Sequence, residues 1–122
     1  MKRVYLIEDD EFLQKLILRK LKSANFEIAG ARTWNDANKN INEFEPSLLI
    51  LDLMLPEGLD GFGILKHLRS SHNLKDLQVI VFSNMASVES EKKAFELGAD
   101  AYMVKSNFTL DELIDKVNEL TV

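Results

Sequence analysis

The chain has 122 residues, 46% of them hydrophobic, which is enough for one domain with a single core and argues against disorder. A formal net charge of −5 argues against a general nucleic-acid surface, which would gather Lys and Arg to neutralise phosphates. With no Cys there is no disulfide framework, thiolate nucleophile or Cys-based zinc site, in keeping with a cytoplasmic protein.

Along the chain, apolar runs alternate with segments of helical period, the pattern of repeated βα units around a parallel sheet. The opening Met1-Lys2-Arg3 has the charge of a secretory leader, but Glu8-Asp9-Asp10 interrupts the apolar run too early for one, and no later stretch is long enough to span a bilayer. Residues 3–8 read as the first strand, and Glu11 to Ala24 as a helix with Phe12, Leu16 and Leu21 toward one side. Phe26 to Ala31 alternate as a second strand. Thr33 then caps a helix carrying Ala37, Ile41 and Phe44 at spacings of four and three. Residues 47–52 form the third strand, followed by a loop and a helix near Phe62 to Ser71. Residues 78–83 form the fourth, with a helix from Ser87 to Leu97 that Gly98 ends at C′. Residues 100–104 form the fifth, and Thr109-Leu110-Asp111-Glu112 is a capping box opening the last helix. No linker or low-complexity segment appears, which with the ending Asn118-Glu119-Leu120-Thr121-Val122 favours a stand-alone domain.

The chemistry lies at the strand ends. Val4-Tyr5-Leu6-Ile7 ends in Glu8-Asp9-Asp10, Leu48-Leu49-Ile50-Leu51 in Asp52, Val79-Ile80-Val81-Phe82 in Ser83-Asn84, and Ala101-Tyr102-Met103-Val104 in Lys105. Ligands of open α/β sheets bind at the carboxyl edge. An acidic cluster, a lone carboxylate, a hydroxyl and an ammonium group gathered there suit a divalent cation and a phosphoryl group. Taken alone, each has a plainer reading: Glu8-Asp9-Asp10 as a helix start with Asp10 as N-cap, Asp52 as a polar strand end, Ser83 as a capping hydroxyl and Lys105 as a solvated lysine. The set, in this order, is specific where its members are not.

In that order the residues resemble the receiver domains of two-component response regulators, over essentially the whole chain from Arg3 to Leu120. The segments Asp52-Leu53-Met54-Leu55-Pro56, Asp60-Gly61 and Leu97-Gly98-Ala99-Asp100-Ala101-Tyr102 carry the resemblance further. It implies a flavodoxin-like (βα)5 fold over residues 1–122, a five-stranded parallel sheet of order 2-1-3-4-5 with helices on both faces. It implies Asp52 as phosphoacceptor, Lys105 as the lysine that pairs with the phosphoryl group, and Ser83 and Tyr102 as the switch pair. Glu8, Asp9, Asp52 and the backbone carbonyl of Met54 would hold Mg²⁺. The implied activity is a signalling switch rather than a turnover enzyme. A sensor histidine kinase or phosphotransfer protein supplies the phosphoryl group, and the face of the fourth helix, fifth strand and fifth helix acts on a downstream protein or effector domain. The implied state is a monomer or a phosphorylation-dependent homodimer, without direct contact to nucleic acid or membrane. The family places its hydrolysis-controlling side chains two residues after the acceptor and two after the switch hydroxyl, here Met54 and Met85.

Three positions depart from the family pattern. Pro56 is followed by Glu57-Gly58-Leu59-Asp60-Gly61, one residue longer than usual, which a bulge at Gly58 absorbs. Ser106 follows Lys105 where the family has a Pro and a cis bond, and a cis bond to a non-Pro residue is costly. Asn84 follows Ser83 where a small residue is usual, and is placed either to crowd the phosphoryl entrance or to donate a hydrogen bond to it. Intact Glu8, Asp9, Asp52, Ser83 and Lys105 weigh against the main alternative, a phosphorylation-independent binding module. A haloacid-dehalogenase-type phosphatase would need an acid where Met54 stands, and a nucleotide-binding protein would need a Gly-rich phosphate turn. Trp34 is expected to cover the core edge, His67 and His72 to lie on the surface, and Phe95 and Leu97 to enter the core.

Overall fold

The computed structural model describes residues 1–122. Five parallel strands, β1 (Arg3–Ile7), β2 (Glu27–Ala31), β3 (Leu48–Leu51), β4 (Gln78–Ser83) and β5 (Ala101–Val104), form one sheet of order β2-β1-β3-β4-β5. The helices are α1 (Glu11–Ser23), α2 (Trp34–Asn38), α3 (Ile41–Phe44), α4 (Gly61–Ser70), α5 (Val88–Glu96) and α6 (Leu110–Leu120), with a 3₁₀ turn at Lys105–Asn107.

β3 is apolar at every position, and β1 and β4 are apolar over Val4–Ile7 and Val79–Phe82, because both faces of the sheet are covered and successive side chains point to opposite faces. Tyr5, Ile7, Leu49, Leu51, Val79 and Val81 pack with α2, α3, α4 and α5. Val4, Leu6, Leu48, Ile50, Ile80 and Phe82 pack with α1 and α6. The strand order reverses at β1, which has β2 on one side and β3 on the other. Ile7 pairs with Leu51, so the next residues, Glu8 and Asp52, emerge side by side at the carboxyl edge. The ladder runs one step further: the Glu8 N–H donates to the Ala31 carbonyl at 3.1 Å and the Asp52 N–H to the Ile7 carbonyl at 3.1 Å.

The caps read from the sequence at Asp10, Thr33 and Thr109 are present, and the structure adds two at Asp60 and Ser87. Asp10, Thr33, Asp60 and Ser87 each accept a first-turn N–H, and both hydrogen bonds of the Thr109–Glu112 capping box are present. Gly98 ends α5 with φ +102°, and Gly58 takes φ +71° in the lengthened loop, conformations that disfavour a side chain. Three expectations are corrected. The helix after β2 breaks into α2 and α3, because Asn40 leaves helical geometry (φ −139°, ψ −4°) and takes the buried Tyr5 hydroxyl on its Oδ1 at 2.6 Å. Phe12 is 73% exposed, since the stripe Leu13, Ile17 and Leu21 faces the sheet and turns Phe12 outward. Phe95 is 44% exposed because Ala94 takes the inward position on α5, while Leu97 joins the core.

Trp34 is buried at the core edge, and the exposed His67 meets its ring edge-on at 5.2 Å between centroids. His72 is exposed. No helix is long and apolar enough to cross a membrane.

Candidate phosphoryl and cation site

Glu8, Asp52 and Ser83 are buried at the carboxyl edge, and Asp9 is half-buried beside them. Carboxylate oxygens of Glu8, Asp9 and Asp52 all lie within 4.8 Å of one another. Lys105 crosses from the end of β5, its Nζ 2.7 Å from Glu8 Oε1 and 2.9 Å from Asp52 Oδ2. Each buried acid gives its other oxygen to the main chain. Asp52 Oδ1 accepts from the Met54 N–H at 3.0 Å, and Glu8 Oε2 accepts from the Asp10 N–H at 3.1 Å. Buried charge is tolerable here because every oxygen has a donor.

Burial pushes the Glu8 carboxyl up to about 7, with the Asp52 charge adding to the rise and the Lys105 and Asp10 contacts opposing it. For Lys105, burial works to lower the pKa, but hydrogen bonds and charge from Glu8 and Asp52 outweigh it and the value is raised. The ammonium thus neutralises part of an acidic cluster that has charge to spare. Hard oxygen donors in this number suit a divalent cation that keeps part of its water shell.

The loop after Asp52 is seated by Gly61. A Cβ there would lie 2.5 Å from Leu53 Cα and 2.6 Å from the Asp52 carbonyl oxygen, so the start of α4 packs directly on the backbone that carries Asp52. The Gly61 N–H also donates to the Leu53 carbonyl at 3.0 Å. Met54 is 53% exposed, and Asn84 is exposed at the end of β4.

Ser83 Oγ accepts from the Met85 N–H at 3.4 Å, and the half-buried Tyr102 donates its hydroxyl to the Met85 carbonyl at 2.6 Å. Burial raises the Tyr102 pKa, helped by Glu91 and Asp52 and opposed by a hydrogen bond with Ser90. All peptide bonds are trans, and the 3₁₀ turn at Lys105–Asn107 carries Lys105 to the acids with Ser106 in the position of the usual Pro.

The structure therefore brings together Glu8, Asp9, Asp52 and Lys105, and links Ser83 at the end of β4 to Tyr102 in β5 through the backbone of Met85. Sequence reasoning missed Arg69. Its guanidinium donates to the carbonyls of Lys75 at 3.0 Å, Leu77 at 2.6 Å and Gly98, and lies 3.5 Å from Asp100 Oδ2. Asp100 also accepts from the Val79 N–H at 2.8 Å, so the pair fastens the start of β4 to the turn leading into β5. Nothing in the spacing of Arg69 distinguishes it from a solvated helix residue; only Asp100 carried a signal.

Residues 4–118 match the response regulator receiver domain family. The chain is 35% identical over 118 residues to the transcriptional regulatory protein PrrA of Mycobacterium tuberculosis, covering 97% of this chain and 49% of that protein. It thus spans about half the length of this curated relative. Among solved structures, it resembles the receiver domain of a Francisella response regulator at 30% identity and TM-score 0.89, covering 99% of this chain and 97% of that one. It also resembles a LuxR-family DNA-binding response regulator from Staphylococcus aureus at 27% identity and TM-score 0.89, over 100% of both chains. The chain belongs to the receiver domains of two-component response regulators, signalling switches rather than turnover enzymes.

Proposed function

We propose that Asp52 is the phosphoacceptor of this receiver and that Glu8, Asp9, Asp52 and the Met54 carbonyl hold Mg²⁺. The observation that carries this reading is the Lys105 ammonium lying between the buried carboxylates of Glu8 and Asp52, with Asp9 completing an all-oxygen cluster. In the transfer, an Asp52 carboxylate oxygen attacks phosphorus of a phosphohistidine. The P–N bond breaks, and the imidazole leaves with the electron pair and takes up a proton. When bound, Mg²⁺ neutralises charge on the phosphoryl oxygens, which is most of what this chemistry requires. Lys105 offers a point charge to the same oxygens. The Met54 N–H on Asp52 Oδ1 fixes the carboxylate while Oδ2 faces the lysine.

The donor would be a sensor histidine kinase or phosphotransfer protein in the cytoplasm. The output face would be α5, β5 and α6, reached through Ser83 and Tyr102. Beryllofluoride, a phosphoryl mimic, tests the site without turnover. Its fluorine resonance should shift on binding to wild type only when Mg²⁺ is present. A bound signal of equal strength in Asp52→Asn would contradict the assignment.

A further inference from the structure

The acids at the end of β1 sit in a segment with neither strand nor helix geometry: Asp9 lies in a bend between Ile7 and Glu11. Carboxylates gathered within a few ångströms repel one another, and the local contact that works against this in the bend is the Asp10 N–H donated to Glu8 Oε2 at 3.1 Å. Two side chains from other parts of the chain add to it through the main chain. Gln14, in the second turn of α1, donates its Nε2 amide to the Glu8 carbonyl at 3.2 Å and the Ala31 carbonyl at 2.9 Å, tying the ends of β1 and β2 together. Arg32, the first residue after β2, donates Nε to the Asp9 carbonyl at 3.1 Å. Arg32 also shares with Asp9, Thr33, Asp36, Pro56 and Glu57 the lining of a polar cavity of about 200 Å³ beside the acids.

The Arg32 contact is unusual in its target. A guanidinium near carboxylates gains most from a forked, charge-assisted pair with one of them. Here Nε goes instead to a neutral carbonyl of the segment. The backbone is anchored while the Asp9 carboxylate is left to the cluster. We propose that Arg32 is a positioning residue for the cation site: from β2 it fixes the Asp9 main chain so that the Asp9 carboxylate stays within reach of Glu8 and Asp52. Gln14 does the same for Glu8. The inference rests on the assignment of these acids to Mg²⁺.

Charge and position make opposite demands, which gives the test a sign. Removing a cation from beside an acidic cluster leaves the cluster more negative, and on Coulombic grounds alone Mg²⁺ should then bind more tightly. Removing a support from behind a ligand should weaken it, about tenfold or more for partners of this kind. Calorimetric Mg²⁺ titration of the intact chain compares wild type, Arg32→Ala and Arg32→Lys, with Asp9→Ala as the reference for outright loss of a ligand. Because Arg32 is exposed, Arg32→Ala is expected to keep the thermal midpoint of the metal-free protein while losing about tenfold in Mg²⁺ affinity. Arg32→Lys, which keeps the charge and lacks Nε, is expected to fall with it. Unchanged or tighter binding in Arg32→Ala, or wild-type affinity in Arg32→Lys, would overturn the positioning role. Absence of Mg²⁺ binding by wild type is a different result: it would remove the cation assignment itself, and this inference with it.

Discussion

Ser83 and Tyr102 hold the two backbone groups of one residue between them: the Met85 N–H points to Ser83 Oγ at 3.4 Å, and the Met85 carbonyl accepts from the Tyr102 hydroxyl at 2.6 Å. A hydroxyl drawn toward a phosphoryl group cannot keep a long contact behind it. On the proposed reading, movement of Ser83 would reach Tyr102 through a single peptide segment, the kind of local charge event that biases a two-state element. With beryllofluoride and Mg²⁺, amide exchange should change most in residues 84–110. Changes confined to α1, α2 and α3 would reject this route. Tyr102→Phe, which removes one hydrogen bond of about 1 kcal/mol, should loosen the segment in the absence of the mimic.

The Glu8 carboxyl, held up to about 7 by burial, couples the site to pH. The folded protein binds this proton more tightly than the unfolded chain does. Its contribution to stability is complete below the ordinary value of 4.5 and is lost as pH rises through about 7. A cation needs the ionised form, so Mg²⁺ affinity should climb by up to about tenfold per pH unit below neutrality and level off above it. Calorimetry across pH 5.5 to 8 checks this, and Glu8→Gln should flatten the slope near neutrality. An equally steep profile in Glu8→Gln would assign the proton to another group.

Gly61 is where the fold and the site meet most closely. A methyl group at this position would press on Leu53 Cα and the Asp52 carbonyl, backbone atoms with no freedom to move aside. Gly61→Ala should lower stability by about 1–3 kcal/mol through overpacking and displace the loop that carries Asp52. Urea unfolding reads the first effect. A midpoint equal to wild type would mean that α4 is not seated as described.

Much of this was legible in the sequence. The strand ends gave Glu8, Asp52, Ser83 and Lys105 because an apolar run that stops at a polar residue marks the edge of a buried parallel strand. Capping residues marked the starts of α1, α2 and α6 for the same local reason. What stayed hidden depends on contacts distant in sequence. The break between α2 and α3 answers to the Tyr5 hydroxyl on Asn40, across 35 residues. The roles of Arg69 and Arg32 likewise rest on carbonyls supplied by other elements. Phe12 and Phe95 were misplaced because an amphipathic helix offers neighbouring apolar positions, and only packing decides which one faces in.

The lifetime of the phosphoryl group should be long. Hydrolysis needs a water held in line behind phosphorus, and neither Met54 nor Met85 offers a strong hydrogen bond to orient it. Phosphate release from pre-phosphorylated protein should be slower in wild type than in Met54→Asn and Met85→Glu. Wild-type decay as fast as both variants would refute the argument.

The most direct test of the account is the position of the phosphoryl group. Incubation with acetyl phosphate and Mg²⁺, followed by intact-mass and peptide mass spectrometry, should place one phosphoryl group on Asp52 in wild type and none in Asp52→Asn. Undiminished phosphorylation of Asp52→Asn, or a phosphoryl group mapped to Glu8 or Asp9, would contradict it.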